Sequence, residues 1–363
     1  MRIMYLLFSF TVGGTERLVA NICNQMILQN EEVYLYIVND LVDQSILNTL
    51  DKKVHIKLFR RKVGSKDKIS PIIEIAKYIK SNNIDVVHCN SFNSPELLIL
   101  SKILNPKCKI VITIHGIGQF KSISKFKIEI RKRICDLFIG ISDAVKDDIL
   151  SAGISDNKVI RVYNGIDTTK YDNAVLKKFE KKRIVLGCIA RIMPSVKGQD
   201  ILLKTIKTLK MQFSGIKVMF AGGIAENQKE SYEELVKYVS DNNIQENVEF
   251  LGSVEKVSEL LNKIDICIIP SRSEGFGLVL VEAMAMGVPC IVSNIAGPKE
   301  IVENEGLGQL FECGNEVDLQ NKIVETINNF EEYKKIAWAK RDNIKKRYSI
   351  ENMCIKLLDI YKE

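Results

Sequence analysis

Short apolar runs alternate along the chain with longer segments in which apolar residues recur every three or four positions. The clearest runs are residues 3–10, 33–38, 85–89, 109–114, 183–189, 217–221, 248–251 and 264–269. Their length and near-continuous apolar character are typical of strands buried on both faces. Between them, spacings such as that of Leu18, Ile22 and Met26 indicate helices. The alternation predicts an α/β fold with parallel sheets and crossover helices.

Residues 264–293 contain a complete strand–loop–helix–strand unit. The strand ends at Pro270, a polar loop with glycines follows, and good helix formers continue to a stop at Gly287. Glu274 lies on the loop and Glu282 on the helix, and the helix start offers backbone N–H groups to anions. Open α/β sheets bind ligands at this edge, so a ligand with hydroxyls and phosphate, such as a sugar nucleotide, fits. The alternative is that both glutamates are ordinary surface residues.

Two basic residues follow the strand at 183–189. Arg191 and Lys197 lie between the end of that strand and a helix that begins near residue 199. Arginine can bind phosphate oxygens through two N–H groups, and lysine acts as a point charge. Beside a diphosphate, two such cations would stabilise a leaving group, whereas isolated basic residues are usually only solvated.

Glycines and histidines follow strands in the first half. Gly13 and Gly14 precede a helix, with Glu16 next to them, but the spacing lacks the dinucleotide-binding fingerprint. A tight turn is the simpler explanation of these glycines. His115 and His88 each end an apolar strand. A strand-end histidine is more often structural than catalytic, so the residues alone leave both readings open.

Length and charge indicate two domains. The chain has 363 residues, more than one hydrophobic core usually supports, and 46% of them are apolar, which makes disorder unlikely. Residues 1–175 hold 25 Lys and Arg against 18 Asp and Glu, while residues 176–363 hold 27 against 27. The first half therefore presents a basic surface. No nucleic-acid-binding signature accompanies it, so we expect a lipid or phosphate partner and no nucleic acid.

Cysteine usage and hydropathy bear on the compartment. The nine cysteines include no Cys-x-x-Cys, which favours a reducing compartment and argues against a disulfide framework or a zinc site. No apolar run reaches the length of a transmembrane helix. We expect a cytoplasmic protein.

Residues 120–138 predict a basic amphipathic helix. Its apolar positions are Ile123, Phe126, Ile130 and Ile134, and its basic positions are Lys121, Lys125, Lys127, Arg131, Lys132 and Arg133. Such a helix can lie on an anionic membrane surface. An ordinary surface helix with a stripe facing the core is the alternative.

Residues 270–289, from Pro-Ser-Arg-Ser-Glu-Gly-Phe-Gly to Glu-Ala-Met-Ala-Met-Gly-Val-Pro, resemble the signature of family 4 retaining glycosyltransferases, which have the GT-B fold. The resemblance covers nearly the whole chain and is strongest at 184–200 and 248–302. It implies two Rossmann-like, doubly wound parallel-sheet domains that face across a cleft. An acceptor-binding domain would span residues 1–170, rejoined by a helix at about 348–363, and a donor-binding domain residues 180–347.

The resemblance also implies roles for individual residues. Glu274 would contact the donor sugar, Glu282 the ribose, and Arg191 and Lys197 the diphosphate. The implied catalytic residues are His115, Glu274, Arg191 and Lys197. The other implied donor-binding residues are Gly14, Val254, Gly275, Phe276, Gly277 and Leu278. The implied cleft or acceptor residues are Gly13, Glu16, His88 and Asn164.

The implied activity is hexosyl transfer from a nucleotide diphosphate sugar, most often a UDP-sugar in this family, with retention at the anomeric carbon. The implied acceptor is a glycan, lipid-linked and presented at the inner face of the cytoplasmic membrane, in surface polysaccharide synthesis such as that of O-antigen or capsule. No Asp-x-Asp is present, so we expect no metal or other cofactor. A nucleotide-sugar 2-epimerase of related fold and a non-catalytic sugar-nucleotide-binding subunit are the alternatives.

Overall fold

The computed structural model describes residues 1–11, 13–176 and 178–363. They form two units, one of Met1–Asp167 with Tyr348–Glu363 and one of Thr168–Arg347. The second unit therefore begins earlier than the expected residue 180, because the polar segment after residue 167 starts with a 3-10 helix, Thr168–Tyr171, that belongs to it.

The first unit is built on a parallel sheet of seven strands in the order β3-β2-β1-β4-β5-β6-β7. The strands are β1 (Arg2–Leu7), β2 (Glu32–Asn39), β3 (His55–Arg61), β4 (Val86–Cys89), β5 (Lys109–Ile114), β6 (Leu137–Gly140) and β7 (Val159–Arg161). The helices are α1 (Gly14–Leu28), α2 (Gln44–Leu47), α3 (Ile69–Ser81), α4 (Ile99–Leu104), α5 (Lys125–Ile134) and α6 (Asp143–Ser151), with 3-10 turns at Pro95–Leu98, Gln119–Ser122 and Asp156–Lys158. Helices cover the central strands, which explains their unbroken apolar sequences.

The second unit is built on a parallel sheet of six strands in the order β10-β9-β8-β11-β12-β13. Its strands are β8 (Ile184–Ile189), β9 (Ile216–Ala221), β10 (Val248–Gly252), β11 (Ile266–Ile269), β12 (Cys290–Ser293) and β13 (Gln309–Phe311). Its helices are α7 (Pro194–Lys197), α8 (Gln199–Leu209), α9 (Lys229–Asp241), α10 (Val257–Leu261), α11 (Leu278–Ala285), α12 (Ala296–Glu305), α13 (Glu316–Asn328) and α14 (Phe330–Arg347), with 3-10 turns at Glu226–Gln228 and Gln245–Asn247. The predicted α/β class with two Rossmann-like parallel sheets is confirmed.

The C-terminal helix α15 (Ile350–Lys362) returns to the first unit and packs against α1. Met353, Leu357 and Tyr361 of α15 are buried in the same core as β1 and β2. At its start, Ile350 N donates to Ile166 O and Ile166 N to Tyr348 O, each at 2.8 Å.

Helix α5 is shorter than predicted and has a different orientation. It begins after Ser124, whose hydroxyl caps it, and its Phe126 is 74% exposed instead of facing the core. Arg131 is fully buried, because its guanidinium donates to Glu96 Oε1 at 2.8 Å and lies 4.1 Å from the centre of the Phe92 ring. The expectation that Arg131 belongs to the exposed basic face is therefore wrong.

Among the helices of the described residues, none is long and apolar enough to cross a bilayer.

Candidate active site

The second sheet reverses its order between β8 and β11, and the loops that follow these two strands meet there. In open α/β sheets this reversal opens a crevice for ligands at the carboxyl ends of the strands. Lys197, in the short helix after β8, bonds through Nζ to Oε2 of Glu274, in the loop after β11. The structure thus brings together two of the residues singled out in the sequence, although they are 77 positions apart.

Two glycines allow neighbouring backbone segments to pack closely on the loop that carries Glu274. Gly198 has φ +69°, and a Cβ there would lie 1.9 Å from the Pro270 carbonyl oxygen. Gly297, in the first turn of α12, packs in the same way on the backbone of Gly275, where a Cβ would lie 2.6 Å from the carbonyl carbon. Side chains at either position would push the Glu274 loop out of place.

The other donor-site candidates lie along the same edge of the sheet. Arg191 is exposed just beyond β8, and Val254 is half-buried just beyond β10. Gly277, with φ +103°, is the N-cap of α11, Leu278 is its first residue, and Glu282 is half-buried in its second turn. The Phe276 side chain, by contrast, is only 2% exposed and packs inside the unit, so the backbone of the Gly275–Gly277 segment is what this loop can offer to a ligand.

The first sheet reverses between β1 and β4, and a pocket of about 190 Å³ lies at that point. Its lining includes Glu16, Asn90, Phe92, His115 and Gln119. The Glu16 carboxylate folds back over Gly13, where a Cβ would meet Glu16 Oε2 at 2.2 Å. Gly13 is the N-cap of α1, and the exposed Gly14 is its first residue.

His115 lies in this pocket directly after β5, as its position at a strand end suggested. Burial lowers the pKa of its imidazole to about 4, so the ring is neutral near pH 7. Its Nε2 atom is buried and, within the described ranges, has no hydrogen-bond partner. A ligand in the pocket would supply one.

His88 does not reach the pocket surface, contrary to the expectation that it faces a cleft. It is fully buried, with Nδ1 bonded to the Tyr361 hydroxyl and Nε2 2.7 Å from Thr113 Oγ1. Burial, and next the nearby His115, lower the pKa of His88 to about 3. Because Thr113 lines the pocket, His88 acts on it only through that hydroxyl.

Asn164 is also buried, 4% exposed, and is absent from the pocket lining. The neighbouring Gly165 lies against the start of α15, where a Cβ would meet Ile350 Cα at 2.7 Å. This segment therefore joins the C-terminal helix to the sheet, and the expected position of Asn164 at a cleft between the domains stays a prediction.

Two family models match the chain. The model described as "Glycosyltransferase Family 4" matches residues 12–170, and the model described as "Glycosyl transferases group 1" matches residues 171–343. The chain belongs to glycosyltransferase family 4. An uncharacterised glycosyltransferase of Methanocaldococcus jannaschii is 28% identical over 97% of this chain and 95% of its own. An Escherichia coli O-antigen biosynthesis glycosyltransferase is 23% identical over 81% and 80%.

Solved structures share the fold of this glycosyltransferase. The Anabaena protein HepE, crystallised in complex with UDP and glucose, superposes with a TM-score of 0.85 over 100% of this chain and 99% of that one, at 20% identity. The expected GT-B fold is confirmed.

Sequence reasoning missed an ion pair that fixes the site of this glycosyltransferase. Arg272 donates to both carboxylate oxygens of Asp200 at 2.7 Å and to the Pro194 carbonyl at 2.6 Å, while its backbone N–H donates to Val196 O. These bonds join the loop after β11 to α7 and α8 beside the Lys197–Glu274 contact. Neither residue type nor spacing distinguishes Arg272 from the other basic residues of the chain.

Within residues 1–11, 13–176 and 178–363, no three His, Cys, Asp or Glu side chains converge in a way that would hold a metal ion.

Proposed function

We propose that this glycosyltransferase moves a sugar from a nucleoside diphosphate donor to a glycan acceptor with retention at the anomeric carbon and without a metal. The observation that carries the proposal is the contact of Lys197 with Glu274 at the reversal point of the second sheet. This contact supports the proposal because lysine can bind phosphate, a carboxylate can accept hydrogen bonds from sugar hydroxyls, and both side chains lie on the loops next to the N-terminus of α11, whose backbone N–H groups favour anions.

The proposed chemistry uses these groups in turn. The donor diphosphate takes Lys197 from Glu274, and the freed carboxylate accepts hydrogen bonds from the sugar. As the glycosidic bond breaks, Lys197 and Arg191 stabilise the charge that develops on the departing diphosphate. A phosphate oxygen of that leaving group accepts the proton of the acceptor hydroxyl on the same face of an oxocarbenium-like sugar. His115 is neutral and contributes a hydrogen bond instead of a charge.

Incubation with nucleotide sugars alone tests the activity. Slow release of free sugar and nucleoside diphosphate marks a transferase, a new sugar isomer marks the epimerase, and no change marks a binding subunit. We expect Lys197→Ala and Arg191→Ala each to lower turnover about 100-fold or more. The control is Lys207→Ala, which removes an exposed lysine elsewhere in the second unit. Near-normal turnover of both site variants would remove the diphosphate assignment.

The comparisons support a uridine donor and a polysaccharide product. The crystal structure of HepE contains UDP and glucose, and the E. coli relative is named as an O-antigen biosynthesis glycosyltransferase. We propose UDP-sugars as donors and a lipid-linked intermediate of a surface polysaccharide as the acceptor. The enzyme would then meet its acceptor at a membrane.

We propose further that the first unit docks peripherally on the anionic inner face of the cytoplasmic membrane. Helix α3 contacts α4 and the 3-10 turn at Pro95–Leu98, which in turn contacts α5. This helical layer carries exposed apolar side chains, namely Ile69, Ile73, Ile99, Ile103, Leu104 and Phe126. Exposed basic side chains lie beside them, namely Lys68, Lys77, Lys80, Lys121, Lys125, Lys127 and Arg133. Apolar groups mixed with cations fit a lipid surface of opposite charge.

Sedimentation with vesicles tests the docking. Each cation near an anionic surface contributes about 1 kcal/mol, so changing Lys121, Lys125, Lys127 and Arg133 to Ser should abolish binding to vesicles with anionic lipid at low salt. Arg131 is left intact because it is buried, and its substitution would destabilise the fold. The control changes four exposed lysines of the second unit, Lys204, Lys207, Lys217 and Lys237, to Ser. Equal loss in both variants, or binding of the wild-type protein to neutral vesicles, would refute the docking face.

A further inference from the structure

The pocket of the first unit has the size of a single ring. Its volume of about 190 Å³ is somewhat larger than a protein cavity of about 150 Å³ that accepts benzene. We propose that this pocket binds one uncharged, hydroxyl-bearing sugar ring of the acceptor and rejects anionic rings. The proposal rests on the proposed transferase function and names the acceptor class for it.

Hydroxyl groups of a ligand can form hydrogen bonds with the polar atoms of the pocket. His115 Nε2 and Gln119 Oε1 are both buried and, in the part of the chain that the structure describes, both lack a hydrogen-bond partner. A buried polar atom without a partner costs free energy, which a ligand can recover. Gln119 Oε1 can only accept, whereas the neutral imidazole nitrogen donates or accepts according to its tautomer. A hydroxyl group both donates and accepts, so a polyhydroxylated ring can satisfy both atoms in either case.

The charge of the pocket disfavours anions. Glu16 contributes a carboxylate, His115 is neutral, and none of the described lining residues is a lysine or arginine. The carboxylate lies over Gly13, where the missing side chain leaves room for it. A phosphate or carboxylate bound beside it would be repelled inside a partly desolvated site, without a cation from the lining to compensate.

The pocket is built on a fixed frame. One wall, residues 90–92, follows β4, and Phe92 in it stands edge-on to Phe120 at 5.2 Å and over the buried Arg131 at 4.1 Å. Arg131 is held by Glu96 and by Asn93 Oδ1, at 3.2 Å. On the neighbouring strand β5, His88 fixes the hydroxyl of Thr113, which also lines the pocket. A frame fixed in this way loses little conformational freedom when a ligand binds.

A neutral sugar ring as acceptor implies that another glycosyl transfer comes before this one. An acceptor that presents an uncharged sugar ring is the product of an earlier glycosyl transfer. The chain would therefore extend an existing glycan, and a transfer onto a bare lipid phosphate, a polyol phosphate or a dicarboxylic acid would have to be performed by a different enzyme.

Binding of matched glycosides by the full chain, without any donor, tests the inference. The probes are methyl β-glucoside and methyl β-galactoside, each paired with its uronate, in which a carboxylate replaces the hydroxymethyl group. Titration is followed by ligand-observed NMR. We expect at least one neutral glycoside to bind about tenfold more tightly than its uronate. Glu16→Gln should reduce that ratio at least about threefold, since Gln keeps the shape and the capping capacity of Glu but not its charge.

The control variant is Asp147→Asn, which removes one exposed carboxylate of the first unit outside the pocket and should leave the ratio unchanged. A uronate that binds as tightly as its neutral partner, an unchanged ratio in Glu16→Gln, or no binding of any glycoside would overturn the inference. Donor hydrolysis by the wild-type protein is measured separately, so loss of the acceptor assignment and loss of the transferase assignment give different results.

Discussion

Gly198 is the residue at which the backbone geometry of the proposed donor site can be tested most directly. It joins α7, which carries Lys197, to α8, and its φ of +69° lies in the left-handed region. An alanine there would pay about 1–2 kcal/mol for that conformation. Its Cβ would also stand 1.9 Å from Pro270 O, a backbone atom at the start of the Glu274 loop that cannot rotate away.

The size of the effect on activity follows from that distance. Ordinary van der Waals contact begins at 3.4 Å, so relief of the clash requires the Lys197 and Glu274 segments to separate by about 1.5 Å. A misplacement of about 1 Å can cost about 100-fold in rate. We therefore expect Gly198→Ala to lower donor hydrolysis at least about 100-fold while the protein remains folded.

The matched control is Gly314→Ala in the same unit. Gly314 has φ +84°, but a Cβ there would meet nothing within 4 Å. It should show the same conformational cost of about 1–2 kcal/mol in urea unfolding and near-normal hydrolysis. Equal hydrolysis by the two variants would show that the close approach of Gly198 to Pro270 does not position the site.

Three further predictions concern single side chains. Glu282→Ala should weaken binding of nucleoside diphosphates and nucleotide sugars alike, and Glu274→Ala only that of nucleotide sugars; calorimetry showing equal losses would contradict this division. Burial holds the pKa of His88 near 3 and of His115 near 4, so the stability contributed by their neutral forms is complete above about pH 6.5. As the pH is lowered below that value, the free energy of unfolding should decrease by up to about 1.4 kcal/mol per pH unit for each ring. Urea unfolding measured from pH 7 to 5 would show no such slope if the rings were exposed. Arg131→Met should lower the free energy of unfolding by about 3 kcal/mol, because it leaves the partner Glu96 without its cation. Changing Glu96 to Met as well should reduce that loss, and a larger loss in the double variant would exclude the buried pair as the cause.

The strands and the donor loop could be predicted from local sequence. Buried parallel strands have nearly continuous apolar sequences, and the strand predicted at residues 109–114 has the same bounds as β5. Glycine and proline marked the ends of the segment from Pro270 to Gly287 with similar accuracy. The sequence singled out Lys197 and Glu274 separately, and their contact appears only in the structure, because the sheet topology brings the ends of β8 and β11 together.

Other features depend on tertiary contacts that leave no local pattern. Arg131 has the spacing of an exposed basic residue, but Glu96 and Phe92 draw it into the interior. His88 lies one residue before the end of β4 and His115 directly follows β5, so the sequence makes them look alike. Tyr361, 273 residues after His88, bonds to His88 and leaves His115 in the pocket. The short strand β13 has too few residues to show a period.

The return of α15 to the first unit has a consequence for synthesis of the chain on the ribosome. The second unit, residues 168–347, has emerged in full before α15 appears, whereas the first unit lacks Met353, Leu357 and Tyr361 until the last residues emerge. The half that is translated first must therefore wait with an exposed apolar groove beside α1, while the half translated later can complete its own core. A released chain truncated shortly before residue 350 would present that groove to chaperones, although its second unit is complete.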